Sequence, residues 1–367
     1  MKNRWPQYSE QAHVDVAQAV QTNSHIVFSQ NPWIEEIEER VRTLFRRRYC
    51  VAVNSGTAGL TAALRALDLP AGARVAAPAY TFFATVTSML PLGLVPKLAD
   101  LDPRTLNVSA QTMIDAAGAD AQAMIVTHNW GNAIAHDELR AMKARGLPVI
   151  DDCSHMFGTR PDAAFFASSG TTDISVVSAG ARKIISGGAG GFVLTDDARL
   201  YDRVLAFCQP SRARSYQLPA TRESYQYMTG GANFRMSGLA AVLIADQLRH
   251  LDRIREAWMN AAADVIDRVA DAGGFTLPAH DSATTCWYKV PVICPDASQR
   301  HVDTLRSVLE PLGVGVDPAL TPFLELDGFP YAHPVSGYPH YAKLRRRIRT
   351  LDLSTLVAHR FRETSAA

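Results

Sequence analysis

The chain has 367 residues and no run of 18 apolar ones, so no segment is expected to cross a membrane as a helix. Its first residues, "MKNRWPQYSEQAH", lack the apolar stretch of a secretory leader. The five cysteines, Cys50, Cys153, Cys208, Cys286 and Cys294, are odd in number and form no C-x-x-C pair. That spacing indicates neither a disulfide framework nor a zinc site, and no metal is expected. It fits a reducing compartment, so a cytoplasmic protein is expected. Charge of either sign is not in excess: 37 Lys and Arg stand against 36 Asp and Glu, for a formal net charge of +1. There is no bulk field for nucleic acid or an anionic membrane, and neither is expected as a partner. The runs Arg46-Arg47-Arg48 and Arg345-Arg346-Arg347 are local; they read as solvated helix faces, with a phosphate clamp as the less favoured alternative. The sequence has no G-x-x-x-x-G-K-[ST], which excludes a Walker phosphate loop, and no G-x-G-x-x-G, which weakens a nicotinamide reading. Internal repeats and low-complexity linkers are also lacking. The triplet Asn107-Val108-Ser109 matches a glycosylation sequon, which without secretion reads as chance.

What is present alternates. From residue 50 to 196, short β-rich runs at 50–53, 74–78, 95–100, 123–128, 148–152, 173–179 and 191–196 are separated by helical patterns such as "GTAGLTAALRAL". The runs are apolar throughout, as expected of strands covered on both faces. The alternation predicts an α/β fold with a mainly parallel sheet. After residue 235 one long helical pattern runs to Gly273-Gly274 and is expected to bridge to a C-terminal lobe. That gives a large α/β domain, 1–250, with an N-terminal helical segment, and a small α+β domain, 251–367.

Ligands of such sheets collect at the carboxyl ends of the strands. "NSGTAG" follows the first run and opens a helix, so Ser55, Gly56 and Thr57 offer backbone N–H groups to an anion. A plain N-cap by Ser55 or Thr57 explains the same turn. "AYTFFAT" follows the second run and supplies the aromatic Phe82. "DDCSH" ends the fifth, where Asp152 is suited to hold a protonated ring nitrogen or to cap a helix; His155 alone reads as a structural histidine. Lys183 stands between the apolar run 173–179 and Gly187, Gly188, Gly190 and Gly191. An amine desolvated there loses basicity and gains nucleophilicity towards a carbonyl. By itself it is a surface lysine beside a turn. Together, a lysine, an aspartate, a helix-start phosphate cup and an aromatic ring are what pyridoxal phosphate requires.

Several blocks carry a wider resemblance: "NSGTAGLTAALRAL", "PAYTFFATVTSMLPLGLVPKLADLDPRTLNV", "VTHNWGN", "LPVIDDCSHMFGT", "SAGARKIISGGAGGFVLTDD" and "GANFRMSGLAAVLIADQL". In these the chain resembles the DegT/DnrJ/EryC1/StrS sugar aminotransferases, a branch of the fold-type I pyridoxal-phosphate enzymes. The resemblance implies an aspartate aminotransferase-like fold and pyridoxal 5′-phosphate as cofactor. It implies transfer of an amino group from glutamate or glutamine to a keto sugar, nucleotide-linked or, as an alternative, a keto cyclitol. Lys183 matches the lysine that forms the internal aldimine, Asp152 the acid at the pyridine nitrogen, and His155 a residue near the phenolic oxygen. Gly56, Thr57 and Ser178 match phosphate ligands, and Phe82 the stacking aromatic. Asn233, in "GANFRM", matches an asparagine that reaches the partner subunit's cofactor, which implies a homodimer with shared sites. Three places depart: Ala189 where the loop commonly has Glu, Ala179 where Phe commonly follows the serine, and "DPALTPFLELDGF" in place of a block with Tyr and His. They touch the substrate pocket and leave a deoxygenating relative as a rival; such relatives carry histidine at the lysine position. A regulatory relative without activity is a further alternative. Arg212, Arg214 and Tyr216 are candidates to line the path of an anionic substrate, or to form a surface loop without such a role.

Overall fold

The computed structural model describes residues 4–28, 30–159, 171–215, 230–320, 323–325, 329, 331 and 334–366, without the side chains of 213–215 and 363–366. Seven strands form the central sheet: β1 Tyr49–Val53, β2 Arg74–Pro78, β3 Val95–Ala99, β4 Ala121–Thr127, β5 Val149–Asp152, β6 Ile174–Ser178 and β7 Gly191–Thr195, in the order β1-β7-β6-β5-β4-β2-β3. Every pair from β3 through β6 is parallel, whereas β7 runs antiparallel to both β6 and β1. Six strands therefore point one way, and their carboxyl ends share one edge. All seven apolar runs are strands. The central ones are buried along nearly their whole length because helices cover both faces.

The helices follow from local chemistry. In Pro32–Leu44, Asn31 caps the start by accepting from the N–H groups of Trp33 and Ile34. Ile34, Ile37 and Val41 fall on one buried stripe. Each such side chain contributes roughly 1.5–3 kcal/mol relative to exposure. Ser109 caps Ala110–Ala117, and Asn107 is buried with its amide donating to the Asn132 carbonyl.

The long helical pattern after residue 235 is two helices, Gly238–Arg249 and Leu251–Ala272, broken at His250 (φ −107°, ψ 17°). Neither Gly nor Pro marks the break, so the apolar period runs across it. The second helix packs on Gln299–Leu309 and Ser354–Ala366 beside a small antiparallel sheet, β8 Val290–Ile293, β9 Gly315–Pro318 and β10 Ile348–Asp352, in the order β8-β10-β9. The N-terminus also reaches this part. The Trp5 N–H bonds the Ser354 carbonyl at 2.9 Å, and the indole meets Trp258 and Phe361 edge-on. No helix among the described residues is long and apolar enough to cross a membrane. All five cysteines are buried thiols.

The arginine runs are turns rather than helix faces. Arg46 has φ 51°, and Arg47 is buried against Asp196, Thr172 and Ser175. Arg345–Arg347 join a short helix, Pro339–Leu344, to β10.

Candidate active site

A cavity of about 560 Å³ opens at the carboxyl edge of the large sheet. It is the size of a small-molecule site. Ser55, Gly56 and Thr57 line it where β1 turns into the helix Gly56–Ala66. Ser55 caps that helix by accepting from the Ala58 N–H at 3.1 Å, which leaves the earlier N–H groups of the first turn facing the cavity end. A side chain at Gly56 would stand 3.0 Å from the Ser178 Cβ and 3.3 Å from its Oγ. Only bare backbone lets the turn approach the end of β6 so closely. Ser178 itself lines the cavity and is buried.

Asp152 ends β5 and is buried on the cavity wall. Its Oδ1 accepts from the Ser154 N–H at 3.0 Å, and its Oδ2 from the Thr85 hydroxyl at 2.9 Å. Behind Thr85 a chain of hydroxyls continues, Thr85 to Thr81 at 2.9 Å and Thr81 to Thr127 at 3.0 Å. The carboxyl group is thus held in place by a backbone and a hydroxyl donor. Thr81 and Thr85 were legible as an i, i+4 pair in "AYTFFAT", and sequence reasoning passed over them.

Lys183 lies on the loop after β6, with its Nζ 4.7 Å from the centre of the Tyr288 ring. Its carbonyl accepts from the Trp5 indole at 2.8 Å, so the N-terminal segment steadies the loop. Burial lowers the amine from 10.5 to about 8; Asp152 opposes that fall and Lys289 adds to it. Near neutral pH the amine is therefore neutral far more of the time than an exposed lysine.

His155 stacks on Tyr288 with ring centroids 4.6 Å apart. Burial, with Lys183 and Lys289 nearby, holds its pKa well below the usual histidine value, so the imidazole is neutral. The Trp130 N–H donates to its Nδ1 at 3.1 Å, which leaves the proton on Nε2. Phe82 lines the rim and is 46% exposed, its ring 4.2 Å from that of Phe83. Asn233 is exposed, accepts from Arg235 Nε at 2.9 Å and does not line this chain's cavity. All the expected site residues except Asn233 therefore meet at one cavity.

The opposite wall comes from the C-terminal part. Tyr288, Lys289, Thr350 and the segment Pro318–Leu320 close it. Lys289 Nζ donates to Asp317 at 2.7 Å. Sequence reasoning found none of these except the "DPAL" segment, whose departure from the family block it noted. The two walls are tied by main chain: the Tyr288 N–H donates to the Trp130 carbonyl at 2.8 Å. Gly131, at φ +94°, lets the chain at Cys286 pass so near that a Cβ would lie 2.2 Å from the Cys286 oxygen. Arg212 is not on the substrate path. It is buried and bound through both Nη atoms to Glu38, each at 2.6 Å. The Arg214 side chain and Tyr216 lie outside the described residues.

Behind Asp152, the ligand-type atoms of His128, Asp151 and Cys153 fall within 4.8 Å of one another. Burial, then Asp151, pushes the Cys153 thiol well up, and it donates to Asp151 Oδ2 at 3.1 Å. Burial alone would raise Asp151, but His128 and Arg47 outweigh it and hold the carboxyl at about 2. A protonated thiol bonded to a carboxylate is a hydrogen-bonded cluster, not a set of thiolate ligands.

Residues 8–357 match the DegT/DnrJ/EryC1/StrS aminotransferase family. The chain belongs to that family. MosB of Rhizobium meliloti is 30% identical over 78% of this chain and 58% of its own length, so the chain spans less than two thirds of that relative. The L-glutamine:2-deoxy-scyllo-inosose aminotransferase of Streptoalloteichus tenebrarius is 27% identical over 87% of this chain and 77% of its own. Among solved structures, the sugar aminotransferase CalS13 of Micromonospora echinospora superposes with a TM-score of 0.79 at 21% identity, covering 100% of this chain and 99% of that one. It shares the fold. The site fits pyridoxal 5′-phosphate, with a weakly basic amine, a buried carboxylate given two donors, a helix-start cup and an aromatic rim within one cavity.

Lys289→Met removes a positive charge that holds the Lys183 amine down and leaves Asp317 unpaired. Both changes raise the Lys183 pKa, so the fraction of neutral amine at pH 7.5 falls. Capture of pyridoxal phosphate by the apoenzyme, followed by stopped-flow absorbance, is expected to slow severalfold at that pH and to recover as pH rises. An unchanged pH profile would show that Lys289 does not act on Lys183.

Proposed function

We propose that the protein is a pyridoxal-phosphate-dependent aminotransferase that moves an amino group from glutamate or glutamine to the keto group of a sugar. The observation that carries this is the presence of Lys183 and Asp152 on one cavity wall with the helix-start cup of Ser55, Gly56 and Thr57. When bound, the cofactor supplies a carbonyl that takes up the amino group and a ring that accepts electrons. Lys183 would hold it through the side-chain amine, and that amine, when free, would serve as the base for the proton at the donor's α-carbon. Asp152 holds a proton on the pyridine nitrogen. Gly56, Thr57 and Ser178 would hold the phosphate, and Phe82, on the cavity rim, would pack against the ring. His155 offers its Nε2–H to the phenolic oxygen. Asn233, exposed and away from its own cavity, suits a role at a partner subunit's site in a homodimer.

The division into 1–250 and 251–367 accords with this reading, since Lys183 and Asp152 stand on the first part and Tyr288, Lys289 and Thr350 on the second. Five buried thiols fit a reducing cytoplasm. A keto cyclitol is the second acceptor class, because the relative from Streptoalloteichus tenebrarius is named for one.

The test is to load the protein as its pyridoxamine form and screen nucleotide-linked keto sugars and keto cyclitols. An acceptor is expected to restore the visible absorbance of the lysine-bound cofactor and to gain an amine detectable by mass spectrometry. If glutamate and glutamine both fail to convert the pyridoxal form, the aminotransferase reading falls.

A further inference from the structure

A second cavity, of about 520 Å³, lies beside the first on the C-terminal part. Among the described residues, Arg306, Arg345, Arg346 and Arg349 line it together with the carboxylate of Glu325. Pro318, Ala319 and Leu320 belong to the walls of both cavities. They end and follow β9, the edge strand of the small sheet. Strand β10 alternates between the two, with Thr350 on the active-site cavity and Arg349 on the second. The helix Gln299–Leu309 adds Gln299, Val302 and Arg306 from one face.

The charges are arranged rather than scattered. Arg345 binds Glu325 and donates to the Ala342 carbonyl, and Arg349 donates to the carbonyls of Arg346 and Ile348 at 2.8 Å. These two are anchored. Arg346 reaches Glu325 only at 4.0 Å with its side chain 73% exposed, and Arg306 faces Asp303 at 3.6 Å with its side chain 58% exposed. Their guanidinium groups retain donors for a ligand. Among the described lining residues four guanidiniums face one carboxylate, and Asp303, outside the lining, meets Arg306 at 3.6 Å.

We propose that this cavity is a recognition site for a diphosphate group. Guanidinium forks match phosphate oxygens in pairs, and anchored arginines bind with little loss of freedom. The volume accommodates a nucleoside diphosphate, and Val302, Val316 and Leu320 form an apolar wall beside the charges. The group comes from one of two sources. It is either the diphosphate arm of a nucleotide-linked acceptor, carried over the edge strand, or a separate phosphorylated molecule acting through the shared segment 318–320. The first source rests on the aminotransferase reading above.

The test uses the holoenzyme, whose cofactor fills the phosphate cup. Inorganic pyrophosphate is titrated calorimetrically into the wild type and into an R306Q/R346Q double variant. Both side chains are exposed, and circular dichroism checks the fold. The wild type is expected to bind with an affinity that falls with salt, and the variant to bind at least tenfold more weakly. Equal affinities, or no binding by the wild type at millimolar pyrophosphate, overturn the site. The donor half-reaction with glutamate or glutamine is measured in parallel. If pyrophosphate competes with a nucleotide-linked acceptor and the variant raises only that acceptor's KM, the acceptor is the source. If pyrophosphate instead alters the donor half-reaction, a separate molecule is the source. Loss of the donor half-reaction in the wild type would sink the aminotransferase reading and leave the pyrophosphate result to stand on its own.

Discussion

Lys183→Ala is expected to abolish turnover and to remove the visible absorbance of lysine-bound cofactor. In the proposed reaction the side chain has two tasks. It would be the amine that captures the cofactor's aldehyde, aided by a pKa lowered to about 8. It would also be the base at the donor's α-carbon, a role that alone contributes about 10²–10⁴ in rate. Lys289 cannot substitute, because its Nζ is bound to Asp317 at 2.7 Å. The cup at Ser55, Gly56 and Thr57 is untouched, so the variant should still bind pyridoxamine phosphate, as fluorescence titration would show. A variant that retained both turnover and the absorbance would remove Lys183 from the reaction.

Asp152→Asn is expected to lower kcat by roughly 10³-fold, about the loss seen when a preorganised electrostatic partner is removed from a water-excluded site. Asparagine keeps the shape and can still accept from Thr85. In the proposed reaction it loses the charge that would hold a proton on the pyridine nitrogen. The effect should fall on kcat far more than on KM, because in that reading the residue meets the cofactor and not the substrate. Steady-state kinetics with a keto acceptor, alongside the cofactor's absorption spectrum, decide the matter. A loss of less than tenfold would show that the ring nitrogen is held by something else. Thr85→Val should give a weaker version of the same phenotype, since it removes one of the two donors to the carboxylate.

Much of the large sheet was legible because its strands are short apolar runs buried on both faces. The same property placed Asp152, Ser178 and Lys183 at or just after strand ends, where the cavity formed. Two features escaped for physical reasons. The break at His250 has no residue that forbids helix, so the apolar period continues through it. The far wall depends on contacts between distant segments: Tyr288 and Trp130 meet across 158 positions of chain, and no local pattern signals that. Arg212 was open to two readings because arginine beside an apolar helix looks alike whether it awaits a substrate or a buried partner. Glu38, 174 residues away, is that partner.

The main-chain bond between Tyr288 and Trp130, with Gly131 pressed against Cys286, bears on which molecules the enzyme can admit. At that point the two walls are joined backbone to backbone, so their spacing there depends on main chain rather than on which side chains line the cleft.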